Sequence, residues 1–203
     1  MKPSQTAVVA CVILAACVAT LAVPPALGTG AASLDCAHAT DSVERSICQD
    51  PALAGLDGRL AAVYGEALKR YAQDGYADPR PAQGLWLEGL DRCAESADVG
   101  GCLESGYRRR IAELEIQYGQ LEMPDEVRYD CGVFDLAVVF YPTDPPAAVL
   151  TPVGAPQGLD QSIAFAVPSG SGARYESANL SFWEHHGEAA LEWSGRDLKC
   201  RAH

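Results

Sequence analysis

The hydrophobic period of this chain changes once, around Met123–Val127, and a helix-period pattern does not fold as strands. The chain is therefore read in two parts. Before the change, Leu53, Leu56, Leu60, Val63, Ala67 and Tyr71 recur at steps of three or four and mark one helical face. A second helix starts near Pro81 and carries Trp86, Leu90 and Cys93 on one side; a third carries Leu103, Tyr107, Ile111, Leu114, Tyr118 and Leu121. Residues 33–122 thus read as a small antiparallel helical domain, with the consecutive Arg108, Arg109 and Arg110 as a solvated, acid-paired face. Pro124 ends the helical pattern. Beyond it come short β-rich runs, from "FDLAVVFYP" to "DLKC", separated by Pro, Gly, Ser or Asn breaks. About eight short strands in about 75 residues predict an antiparallel barrel or sandwich over 128–203. The expected fold class is α+β in two domains, separable near Met123–Arg128.

The first 32 residues have the layout of an export signal: Lys2, an apolar run from Ala7 to Val23, then small residues and prolines. Within the run, "LAAC" (Leu14–Cys17) resembles a bacterial lipobox, which implies cleavage before Cys17 and its lipidation. The residues after Cys17 stay apolar, so cleavage near Gly28 or Ala32 with a secreted product, or an uncleaved anchor, remain alternatives. All three place residues 33–203 outside the cytoplasm, in the periplasm or envelope or beyond it.

That placement decides the chemistry of Cys36, Cys48, Cys93, Cys102, Cys131 and Cys200. Six cysteines in an exported chain read as disulfides, for which 15 connectivities exist. Spacing favours local Cys36–Cys48 and Cys93–Cys102 pairs and a Cys131–Cys200 pair tying first strand to last. There is no CxxC pair, and His38 stands apart from the other histidines, so no metal is expected.

The net charge is −12, with 18 acidic against 9 basic residues in 33–126 and 9 against 5 in 127–203. An acidic chain is a poor binder of nucleic acid and a favourable one for a basic protein. No GxSxG, HExxH or phosphate-binding loop is present, and the histidines and acids form no recognisable catalytic group. Neither a cofactor nor an enzymatic activity is expected.

Two resemblances sharpen this. "DCAHATDSVERSICQDPALAGLD", continuing through Gln83, Trp86-Leu87, Arg92-Cys93, Cys102-Leu103, Tyr107 and Arg110-Ile111, resembles the LprI-like lysozyme-inhibitor family over roughly 35–115. "YDC" at 129–131, "SGARY" at 171–175, "FW" at 182–183, "EA" at 188–189 and Cys200 resemble the MliC-type inhibitors of c-type lysozyme, whose fold is a small eight-stranded barrel. This resemblance implies a c-type lysozyme as partner. It places Ser171, Gly172, Tyr175, His185 and His186 on the lysozyme-binding loops, with Ser171 and the position of His185 entering the cleft. The family carries Lys where this chain has His185, and Gly where it has His186.

The chemistry of such a plug is intelligible by itself. Lysozyme works with two carboxyl groups, one an acid and one ionised. A blocking loop needs a hydroxyl for one and a cation or donor for the other. Gly170 and Gly172 flank Ser171, and a histidine donates a hydrogen bond when neutral and carries charge when protonated. Alternation along "FW" predicts that one of Phe182 and Trp183 faces the barrel core. The other reading of the chain is an envelope module that binds glycan or protein and inhibits nothing.

Overall fold

The structure, a computed structural model, describes residues 34–155 and 157–203. The export signal and the lipidation candidate Cys17 lie outside the described residues. No helix among those residues is long and apolar enough to cross a membrane.

Among the described residues the first half holds four α-helices, α1 (Ser42–Gln49), α2 (Pro51–Asp74), α3 (Arg80–Asp91) and α4 (Val99–Gln117). Three begin at an aspartate whose carboxylate accepts a backbone N–H of the first turn: Asp41 from Glu44, Asp50 from Ala52 and Asp98 from Gly101. At α1 the bond is reciprocated, since the Glu44 side chain reaches back to the Asp41 N–H. Leu53, Leu60, Ala67, Leu90, Leu103, Tyr107, Ile111 and Leu114 form the core, joined by Val43 and Ile47 of α1. Tyr107 donates to Asp57 Oδ1 at 3.0 Å, and burial followed by that carboxylate pushes its hydroxyl pKa well up. Tyr71 departs from the expected stripe: it is 36 % exposed, with the Arg80 guanidinium 5.2 Å from its ring centroid.

The second half is a closed barrel of eight antiparallel strands, each paired with its sequence neighbours: β1 (Glu126–Asp130), β2 (Asp135–Tyr141), β3 (Ala147–Val153), β4 (Ser162–Val167), β5 (Ala173–Ser177), β6 (Leu180–His185), β7 (Glu188–Trp193) and β8 (Arg196–Ala202). Closure, rather than a sandwich, removes every free edge. Tyr129, Leu136, Val138, Leu150, Phe182, Leu191 and Trp193 fill the interior. Among the described residues the disulfides are Cys36–Cys48, Cys93–Cys102 and Cys131–Cys200.

Helix α4 serves both halves. Leu103, Tyr107, Ile111 and Leu114 face the helical core. Ala112 and Ile116 pack instead on Ala147, Ile163 and Phe165, which point outward from β3 and β4. The three arginines follow this division, so they are not one solvated face. Arg108 pairs with Glu104 and with Asp144 of the barrel. The Arg109 guanidinium lies 5.5 Å from the Phe165 ring centroid. Arg110 is 3 % exposed and donates to Gln83 Oε1 at 2.9 Å and Glu113 Oε2 at 3.2 Å. The reason is helical geometry: successive residues point about 100° apart, so three in a row cannot share a face.

Between α4 and β1, Gly119, Glu122, Met123 and Asp125 are exposed. We propose that the halves separate here, because each has its own apolar cluster and its own disulfides. Limited proteolysis is expected to cut within 119–125 and release a helical and a β-rich fragment, each folded by circular dichroism. Two unfolded fragments would show that the contact around Phe165 is a condition of folding.

Candidate functional site

Strand alternation divides β5–β8 into an inner and an outer face. Phe182 is wholly buried while Trp183 is 43 % exposed, so Phe182 is the inward member of the pair. Register then builds the outer surface. Arg174 pairs with Trp183, Trp183 with Ala190, and Ala190 with Lys199, giving one row across four strands. Toward the β6–β7 turn, His185, Glu188 and Arg201 form the next outward row. On the other side lies an acidic row containing Glu176, Ser181, Glu192 and Asp197.

Ser171 stands at the rim of this surface. Gly172 has φ 66°, and a Cβ there would lie 2.2 Å from the Glu184 carbonyl oxygen, so only glycine lets the β4–β5 loop lie this close to β6. The Trp183 indole N–H donates to the Ser171 carbonyl at 2.8 Å, and Ser169 Oγ donates to the Gly172 carbonyl at 2.9 Å. These bonds occupy the loop backbone. The exposed Ser171 hydroxyl makes no hydrogen bond among the described residues.

A concavity of about 550 Å³ is lined by Ser171, Trp183, His185, Glu188, Lys199 and Arg201, among others. Arg201 is paired with Glu188 at 2.8 Å, and Arg174 with Glu176 at 2.6 Å. Lys199 has no ion pair among the described residues. An acidic chain thus gathers three cations and a histidine around one exposed tryptophan. His185 and His186 stack edge to face with ring centroids 4.3 Å apart. His186 and Gly187 form a two-residue hairpin turn with both φ positive, 54° and 81°. This turn carries His186 off the concavity's lining.

The structure therefore brings together Ser171, Gly172 and His185, sets His186 beside them, and places Tyr175 elsewhere. Tyr175 pairs with Phe182 on the inner face and packs 5.5 Å from the Phe140 ring. Burial, then the nearby Glu184 carboxylate, raises its hydroxyl pKa. Tyr129, on the same inner wall, is pushed up to about 12 for the same two leading reasons. Both phenols stay neutral and act as packing. Lys199 and Arg201 were not foreseen from sequence, and alternation left open that Trp183 is the exposed member of its pair. Alternation in "DLKC" gives Lys199 a face, but only the register puts it beside Trp183.

The surface can present a hydroxyl, an imidazole and an ammonium to a partner's carboxyl groups. The family model described as membrane-bound lysozyme-inhibitor of c-type lysozyme, MliC, matches residues 129–199. Among curated proteins, the chain is 35% identical to Lipoprotein LprI of Mycobacterium bovis (strain ATCC BAA-935 / AF2122/97) over 196 residues, 95% of each chain. The same figures hold for Lipoprotein LprI of Mycobacterium tuberculosis strains CDC 1551 / Oshkosh and ATCC 25618 / H37Rv.

Proposed function

The chain belongs to the LprI family, a helical segment fused to an MliC-type barrel, and from that premise we propose that it is a lysozyme inhibitor of the bacterial envelope whose barrel occupies the cleft of a c-type lysozyme. The observation that carries this reading is the free Ser171 hydroxyl on a braced loop, sharing one concavity with His185 and Lys199. Ser171 hydrogen-bonds one catalytic carboxyl group. His185 and Lys199 offer charge to the other, and Trp183 supports the loop from below. The protein performs no chemistry: it competes with substrate. Export, with or without a lipid anchor at Cys17, places it where lysozyme acts.

His185 and Lys199 have different pH signatures. An imidazole gains its charge within the physiological range, whereas a lysine ammonium keeps its charge throughout. A carboxylate partner attracts the protonated imidazole more than the neutral one. The charge-dependent share of affinity is therefore larger in acid than in mild alkali. Removing His185 as His185→Ala is expected to cost more at about pH 5.5 than at about pH 8. His185→Lys should flatten the fall, and Lys199→Ala should cost the same at both. Ser171→Ala should cost about 1–2 kcal/mol throughout, one hydrogen bond. Inhibition constants against a c-type lysozyme at both pH values check this. An equal penalty for His185→Ala at both removes its charge from the mechanism.

A further inference from the structure

The groove between α2 and α3 lies in the other half of the molecule, and the barrel reading does not use it. We infer that it is a carbohydrate subsite that takes a pyranose ring of an uncharged glycan. The groove is about 360 Å³, and Asp57, Tyr64, Arg80, Gln83, Gly84 and Trp86 are among its lining residues. That size is within the roughly 300–1,000 Å³ of small-ligand sites.

Its walls pair aromatic faces with fixed hydrogen-bonding groups. Trp86 is held by its indole N–H, which donates to the Gly106 carbonyl at 3.3 Å, and by an edge contact with Tyr107 at 5.2 Å between centroids. An aromatic face carries negative potential and suits the C–H face of a sugar. Asp57 is anchored on both oxygens, by the Leu34 N–H at 2.8 Å and the Tyr107 hydroxyl at 3.0 Å. Each oxygen keeps a lone pair for a further donor.

Gln83 is oriented by the buried Arg110. A guanidinium only donates, so the amide oxygen of Gln83 must face Arg110 Nε, 2.9 Å away. The amide NH₂ is therefore the end left for a ligand, and it makes no hydrogen bond among the described residues. The groove thus sets an acceptor at Asp57 and a donor at Gln83 beside aromatic walls, which suits neighbouring hydroxyls on one ring.

Other ligand classes fit less well. Asp57 repels phosphates and carboxylates, and the Arg80 guanidinium is already engaged by Asp78 at 3.1 Å. An apolar ligand would strip water from Asp57 and Gln83 without replacing it. A peptide has no strand edge to pair with between two helices.

Calorimetric titration of the full chain with the β-1,4-linked tetramer of N-acetylglucosamine, and with cellotetraose, tests the inference. At least one should bind, with a dissociation constant of roughly 0.1–1 mM, as expected of an open site. Both binding would assign recognition to the ring, and the first alone to the N-acetyl group as well. Gly84→Leu should abolish binding: a Cβ at Gly84 meets nothing within 4 Å, so the side chain can fill the groove without backbone conflict. Leucine also favours helix over glycine, so the melting temperature should hold or rise. Gln83→Glu keeps an oxygen for Arg110 but removes the donor, and should weaken binding at least fivefold. Lysozyme inhibition should be unchanged in both variants, which separates this site from the barrel. Failure of both tetramers to bind at about 10 mM, unchanged binding by Gly84→Leu, or binding of a peptidoglycan stem peptide alone would overturn it.

Discussion

Replacing Gly172 with alanine is expected to weaken inhibition of c-type lysozyme by at least about a hundredfold, more than the loss of any single contact group on the surface. Two costs combine. A left-handed φ of 66° disfavours alanine by roughly 1–2 kcal/mol. The new Cβ also starts 2.2 Å from the Glu184 carbonyl oxygen, a backbone atom that cannot swing away. The β4–β5 loop must lift from β6, which moves Ser171 and breaks its bond from Trp183. Gly132→Ala isolates the two effects: its φ is 80°, but a Cβ there meets nothing within 4 Å. It should lose stability of about 1–2 kcal/mol and keep its inhibition. Inhibition constants together with denaturant unfolding of both variants read the difference. If Gly172→Ala inhibits as well as wild type, the Ser171 loop is not what enters the cleft.

The second large effect concerns stability. Cys131–Cys200 spans 69 residues, against 12 for Cys36–Cys48 and 9 for Cys93–Cys102. In the chain-entropy model the long loop contributes about 4 kcal/mol, and the short ones between about 2.5 and 3. A domain of this size has a total stability on the order of 5–10 kcal/mol. Cys131→Ala/Cys200→Ala should therefore remove about half of the barrel's stability or more, before counting the packing lost at two buried sulfurs. Urea unfolding followed by barrel-specific signals, such as that of buried Trp193, measures it. A loss under about 1 kcal/mol would mean that the unfolded chain is already compact without the bond.

Much of the fold was legible because the features responsible are local. The helical stripes and Pro124 marked the division, and the turn residues marked the strands. Helix α1 was not singled out: eight residues are too few to display a period, although Asp41 and Glu44 spell a capping box. The arginine triplet was misread because a run of like charges suggests a shared face, whereas each member answers to a different neighbour. At the candidate site, Ser171 and His185 could be named through the resemblance of their segments to the MliC-type inhibitors. Lys199 could not, because its place beside Trp183 depends on the pairings of β6, β7 and β8. Tyr175 was placed on the binding loops by the resemblance of the "SGARY" segment to the MliC-type inhibitors, yet the strand's alternation turns it inward against Phe140.

The pairing of β1 with β8 is the shortest join in the barrel, two residue pairs, Tyr129 with Ala202 and Asp130 with Arg201. The cysteines at 131 and 200 bond immediately beside it. Until that sulfur bond forms, the sheet is held closed at its weakest hydrogen-bonded seam, and an opened sheet exposes two edges to pairing with other chains. Oxidation is the step that completes the barrel, and a reducing cytosol withholds it. On the export route proposed above, the barrel gains this bond only after the chain has left the cytoplasm, and for the same reason a recombinant preparation belongs in an oxidising compartment.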